Sequence, residues 1–67
     1  MNRYRFFAID GLGRVDRGFE QQLIDDQAAF RYAEAIEDAA EVEVLRDRQV
    51  IARVRHHNGR ATVIPGL

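Results

Sequence analysis

An α+β fold, with a small antiparallel sheet carrying one helix on one face, is what this chain of 67 residues predicts. Three observations carry that expectation. Only one stretch, Asp25 to Ala40, has the spacing of a long amphipathic helix. The segments on either side alternate apolar and polar residues over short runs, the pattern of strands. Near the end, Asn58-Gly59 is the favoured pair for a two-residue hairpin turn, because both residues take positive φ cheaply. The elements follow in ββαββ order, with a fifth C-terminal strand where residues 56–67 are ordered.

The first strand is Arg3 to Asp10, with Tyr4, Phe6 and Ala8 on one side and Arg5, Phe7 and Ile9 on the other. Apolar residues on both sides call for an interior strand or for a second subunit over the outer face. Asp10-Gly11-Leu12-Gly13 has turn composition. Two glycines can also cradle phosphate, but such loops run straight into a helix N-terminus, and here the next segment is extended. Arg14 to Leu23 alternates Val15, Phe19 and Leu23 against Asp16, Gly18, Glu20 and Gln22, with Arg17 and Gln21 interrupting the apolar side and Gly18 as a candidate bulge.

Within the helix, a step of about 100° per residue gathers Ala29, Tyr32, Ala33, Ile36 and Ala40 in one stripe, flanked by Ala28 and Ala39. Alanine lets a helix approach a sheet closely but buries little area, so Tyr32 and Ile36 are the expected anchors. Asp25 and Asp26 suit the N-cap and the positive end of the dipole. Glu37, Asp38 and Glu41 oppose the dipole at the other end, where fraying is expected. Phe30 falls among Glu34, Glu37 and Glu41 on the wet side, either as an isolated exposed aromatic or as a contact for a second copy.

Val42 to Asp47 forms the third strand and Val50 to Arg55 the fourth, joined by Arg46-Asp47-Arg48-Gln49. Val42 and Val44 oppose Glu43 and Leu45; Val50, Ala52 and Val54 oppose Ile51, Arg53 and Arg55. Glu43 is placed to meet an arginine across the strands. Counting outward from Asn58-Gly59 pairs His57 with Arg60, Arg55 with Thr62 and Val54 with Val63, and Pro65 suits the end of an edge strand. The competing reading of residues 56–67 is a flexible tail.

A single domain of this length buries roughly 60% of its unfolded surface and needs help to be stable. With no cysteine there are neither disulfides nor thiolate metal sites, so self-association is the remedy expected. The charged start and the lack of a long apolar run favour a cytoplasmic protein with no membrane span. All basic residues are arginine, a hint of a GC-rich bacterial genome. Charge is uneven: through Leu45 five arginines meet ten acids, net −5, and from Arg46 five arginines meet one acid, net +4.

Chemistry has few carriers. His56 and His57 are adjacent, so a strand points them to opposite sides and they make no intrachain metal pair. Asp25 and Asp26 read as caps and Asp10 as a turn residue. Thr62 is the sole hydroxyl besides the tyrosines, which speaks against nucleophilic catalysis. No enzyme, cofactor or metal is expected. The expected role is a homodimeric protein-interaction module with Tyr4, Phe6, Phe7 and Phe30 as candidate interface. The alternative is a nucleic-acid-binding module using Arg46, Arg48, Arg53, Arg55 and Arg60, with Tyr4 and Phe6 as a stacking platform. The acidic helix and net charge of −1 oppose it.

Tyr4-Arg5-Phe6-Phe7-Ala8-Ile9-Asp10-Gly11, Asp25-Asp26-Gln27-Ala28-Ala29, Val42-Glu43-Val44-Leu45 and Val50-Ile51-Ala52-Arg53-Val54 together resemble a family of short, uncharacterised bacterial proteins. Its members open on a Tyr-Arg-aromatic strand ending in Asp-Gly, pass through an acidic-capped, alanine-rich helix, and close with a Val-Glu-Val strand and its partner. The resemblance covers roughly residues 3 to 55. It implies this layout and no assigned function, and the Asn-Gly tail departs from it.

Overall fold

The computed structural model describes residues 1–66. Its elements are β1 (Asn2–Ile9), β2 (Val15–Leu23), α1 (Asp26–Glu34), β3 (Glu41–Arg46), β4 (Gln49–His57) and β5 (Arg60–Pro65). All neighbouring strands pair antiparallel. The spatial order is β2-β1-β3-β4-β5, which differs from strands laid side by side in the expected ββαββ order. β3 lies against β1 rather than β2, so the chain crosses back over β1 through α1, and the helix is thereby held on one face.

The pleat sorts β1 as its alternation demands. Tyr4, Phe6 and Ala8 point under α1 with Val42, Val44, Ala52 and Val54, all without solvent exposure, and Ala29 and Ala33 close the layer from the helix. Tyr32 anchors the helix as expected, its ring 4.6 Å from that of Phe6, centroid to centroid. Phe19, Leu23, Ile36 and Val63 form a half-buried rim. Arg17 and Gln21, which interrupt the apolar side of β2, reach across it: Arg17 donates to Asp38 at 2.6 Å and Gln21 to the Tyr32 hydroxyl at 3.3 Å.

Three local expectations are corrected. Gly18 is not the bulge; the register slips at Asp16, since Ala8 pairs with Arg17 and Ile9 with Val15. The extra residue turns Val15 away from the helix side, where it is 63% exposed. A second slip between Val44 and Leu45 pairs Leu45 with Val50. Ile51, expected outside, consequently packs on the core, and Val50 moves to the outer face.

The helix is shorter than Asp25 to Ala40. Asp25 caps it, its carboxylate accepting from the Ala28 amide at 2.9 Å. At the other end the Ala35 amide is shared between the carbonyls of Arg31 and Tyr32, and Ile36 bonds back three residues to Ala33. Ala40 cannot remain helical because the sheet claims it: its amide donates to Ile9 O and its carbonyl accepts from the His56 amide, each at 3.0 Å. Ala40 is accordingly exposed, while Ala39 is buried instead.

The β3–β4 and β4–β5 connections are two-residue turns with positive φ at each position, Asp47-Arg48 (51° and 71°) and Asn58-Gly59 (52° and 76°). The second sets the pairs His57–Arg60, Arg55–Thr62 and Val54–Val63. Residues 60–65 are therefore a strand, not a flexible tail.

Candidate functional site: the uncovered sheet face

With α1 on one side, no element among the described residues covers the other side of the sheet, and the register fixes what it displays. One row across β2, β1, β3, β4 and β5 runs Gly18, Phe7, Glu43, Arg53, Ile64. The next row runs Val15, Ile9, Glu41, Arg55, Thr62. Beyond the bulge a third row holds Glu20, Arg5, Leu45 and Val50. Phe7 lies over Gly18, whose lack of a side chain makes the room: a Cβ there would stand 3.4 Å from the ring. Phe7, Ile9, Leu45 and Val50 are half-buried, and Ile64 is exposed.

Charge on this face is striped. β3 supplies Glu41 and Glu43, and β4 supplies Arg55 and Arg53 beside them, with nitrogen–oxygen separations of 3.5 and 3.7 Å. These are ion pairs without hydrogen-bond contact, and Glu41 Oε1 is shut off from solvent with no donor among the described residues. On β1, Arg3 and Arg5 share Glu20 at 3.7 and 3.4 Å.

Of the four candidate interface aromatics, only Phe7 stands on this face. Tyr4 and Phe6 have zero exposure and belong to the chain's own core, which removes them as contacts and as a stacking platform. Phe30 is half-buried against the same core rather than projecting from a wet helix side. The five candidate arginines do not form one edge. Arg53 and Arg55 share the uncovered face, Arg46 is on the helix side, Arg48 is in the β3–β4 turn, and Arg60 lies at the opposite end of the sheet.

Arg46 belongs to a joint that the sequence does not announce. Its Nη1 donates to both oxygens of Asp26 at 2.7 Å, and the Tyr4 hydroxyl donates to Asp26 Oδ1 at 2.6 Å. Asp26 is thus no spare cap but the tie between the first turn of α1 and strands β1 and β3. The Tyr4 hydrogen bond, aided by Arg46, holds its carboxyl below the usual aspartate range. Burial, reinforced by the neighbouring carboxylate, pushes the Tyr4 phenol up. The one available signal was the doubled Asp25-Asp26, of which a cap needs only one.

At the far end, a cleft of about 680 Å³ opens between the end of α1 and the β4–β5 turn, lined in part by Glu34, Glu37, Asp38, His56 and His57. His56 Nε2 lies 3.0 Å from Glu34 O; a carbonyl only accepts, so this nitrogen carries the hydrogen, and Nδ1 is buried with no partner among the described residues. His57 is exposed, so the two histidines do part company as strand neighbours must. Among the described residues no three histidine, aspartate or glutamate side chains gather to hold a metal ion, and no helix is long and apolar enough to cross a membrane. No family model, curated protein or solved structure matches the chain.

Proposed function

We propose that this chain is a non-enzymatic, cytoplasmic protein-interaction module whose first partner is a second copy of itself, docked through the uncovered sheet face. The observation that carries this reading is the self-complementarity of the two central rows. A two-fold axis lying in the interface, parallel to the strands and between β3 and β4, exchanges the acidic stripe for the arginine stripe. Glu43 then faces Arg53 of the second copy and Glu41 faces Arg55, while Phe7 meets Ile64. Isologous contacts of this kind are the usual basis of dimers, and aligned sheets pack about 10 Å apart with side chains interdigitating.

Surface area supports the same reading. The single chain exposes 4841 Å², whereas a compact monomer of this mass exposes about 4,300 Å². An excess of this kind is consistent with a sheet face left without a covering layer. Apolar burial supplies the affinity and the charged stripes fix the register.

Light scattering on the purified chain tests this. A mass near twice the chain mass at low and at high salt is expected, because apolar burial survives screening. Arg53→Glu with Arg55→Glu sets acid against acid and is expected to give a monomer. Adding Glu41→Arg and Glu43→Arg rebuilds both the cross-strand pairs and the self-complementarity, and is expected to restore the dimer. A folded wild-type monomer at both salts overturns the reading and turns attention to nucleic acid at Arg53 and Arg55.

A further inference from the structure

The two turns that end β4 are built alike, yet only one has the residues its geometry favours. Position two of such a turn belongs to glycine, and Gly59 supplies it at φ 76°. In the other turn that position is Arg48, at φ 71°. A bulky side chain pays a steric penalty there that glycine does not.

What the arginine gains is position. Arg48 and Asp47 line a small pocket of about 180 Å³ with Arg3, Arg5 and Leu45. Three arginines, two from the start of β1 and one from the turn, line one hollow at a corner of the uncovered face. Among the described residues none of the three donates a hydrogen bond to a protein acceptor; Glu20 approaches Arg3 and Arg5 only to 3.7 and 3.4 Å. With Asp47 and Glu20 counted, three cations meet two carboxylates, leaving one positive charge in surplus. The hollow lies below the range of pockets that enclose whole organic ligands. Its size suits a tetrahedral oxyanion, and arginine forks match phosphoryl oxygens two at a time.

We infer that Arg3, Arg5 and Arg48 form a binding site for the phosphoryl group of a small anion, held at the β3–β4 turn. All of its residues come from one chain, and its test reads phosphate binding rather than mass, so its failure is distinguishable from failure of the dimer. Arg48 occupies a position suited to glycine, and there its side chain closes the site. Glu20 competes with the ligand for Arg3 and Arg5 and offsets their mutual repulsion in the empty site.

The test is a titration of the ¹⁵N-labelled chain with inorganic phosphate, and in parallel with phenyl phosphate, against chloride at matched ionic strength. Saturable shifts at the Nε–H groups of Arg3, Arg5 and Arg48 are expected with both phosphates and not with chloride. Equal binding of the two probes assigns a bare phosphate ion, and tighter binding of the ester assigns a phosphate monoester. Arg48→Gly separates binding from folding. It is expected to raise the thermal midpoint by about 4–8 °C, since strain is relieved, while weakening phosphate binding about tenfold or more. Glu20→Gln is expected to tighten binding. Phosphate shifts indistinguishable from those of chloride, or wild-type affinity in Arg48→Gly, would overturn the site.

Discussion

The two faces of the sheet are made from the same five strands, yet they solve opposite problems. Under α1 the side chains are apolar and small or aromatic, and Tyr4, Phe6, Ala8, Val42, Val44, Ala52 and Val54 are wholly removed from water. Across the sheet, one residue along each strand, the same backbone presents Arg5, Phe7, Ile9, Glu43, Leu45, Arg53 and Arg55. The covered face holds the chain folded. The uncovered face mixes half-buried apolar groups with ordered charge, which a core has no use for and a docking surface does. On the proposed reading, the difference teaches that stability and recognition separate at the level of alternate residues.

The hardest blow to that separation is Phe6→Ala. Phe6 sits between Tyr4 and Tyr32 with no exposure, so truncation removes a large buried group and leaves a cavity. A loss of about 3–5 kcal/mol is expected in denaturant unfolding, which in a domain this small approaches the whole stability. Phe7→Ala, one residue away on the other face, should leave monomer stability nearly intact. A large loss there would show that both faces serve folding.

Next in size is Asp26→Asn. It weakens two charge-assisted contacts at 2.6 and 2.7 Å in a partly buried joint, for an expected cost of about 1.5–3 kcal/mol. The effect depends on pH in a definite direction. Asp26 titrates below its unfolded value, as does Asp38 through the Arg17 hydrogen bond. The unfolded chain therefore binds protons first. Their contribution is complete above the unfolded range of about 4 and is lost as pH falls through the depressed folded values. Acid titration of stability should show a shallower decline in Asp26→Asn than in the wild type; an unchanged acid limb would mean that the joint does not stabilise the fold.

How legible all this was in the sequence depends on how local the cause is. Asn58-Gly59 determines its own turn, and the pairs of β5 followed by counting. The alternation of β1 and β3 was equally plain, because pleat geometry acts residue by residue. The end of α1 was not: residues 35–40 have helical composition, and it is hydrogen bonding of Ala40 to Ile9 and His56 that overrides it. Phe30 misled for a related reason: the helical wheel sets it among acids, whereas the fold packs it half-buried against the core. The uncovered face could be assigned only in part, because two bulges exchange the sides of Val15 and Ile51. The triad of Tyr4, Asp26 and Arg46 joins residues 20 and more apart, and no spacing rule connects them.

The smallest effect sharpens the comparison most, because it sets like chemistry on the two faces side by side. Glu43–Arg53 and Asp26–Arg46 are both carboxylate–arginine pairs, and Glu43 is the less exposed acid, 25% against 37%. Exposure alone would make Glu43→Gln the costlier change. Geometry says otherwise: 3.7 Å without a hydrogen bond against 2.7 Å to both oxygens. Long-range attraction between partly solvated charges is worth about 0.2–1 kcal/mol and is screened by salt. Glu43→Gln in a chain kept monomeric by Arg53→Glu and Arg55→Glu would lose the pair being measured, so the monomer is best obtained by dilution. There Glu43→Gln should shift unfolding by less than about 1 kcal/mol at low salt and less still at high salt. In the proposed dimer the same change removes a contact to Arg53 of the second copy, so its effect on the dissociation constant should exceed its effect on folding. Equal effects on both would place the Glu43–Arg53 pair in the service of the fold and remove the acidic stripe from the interface.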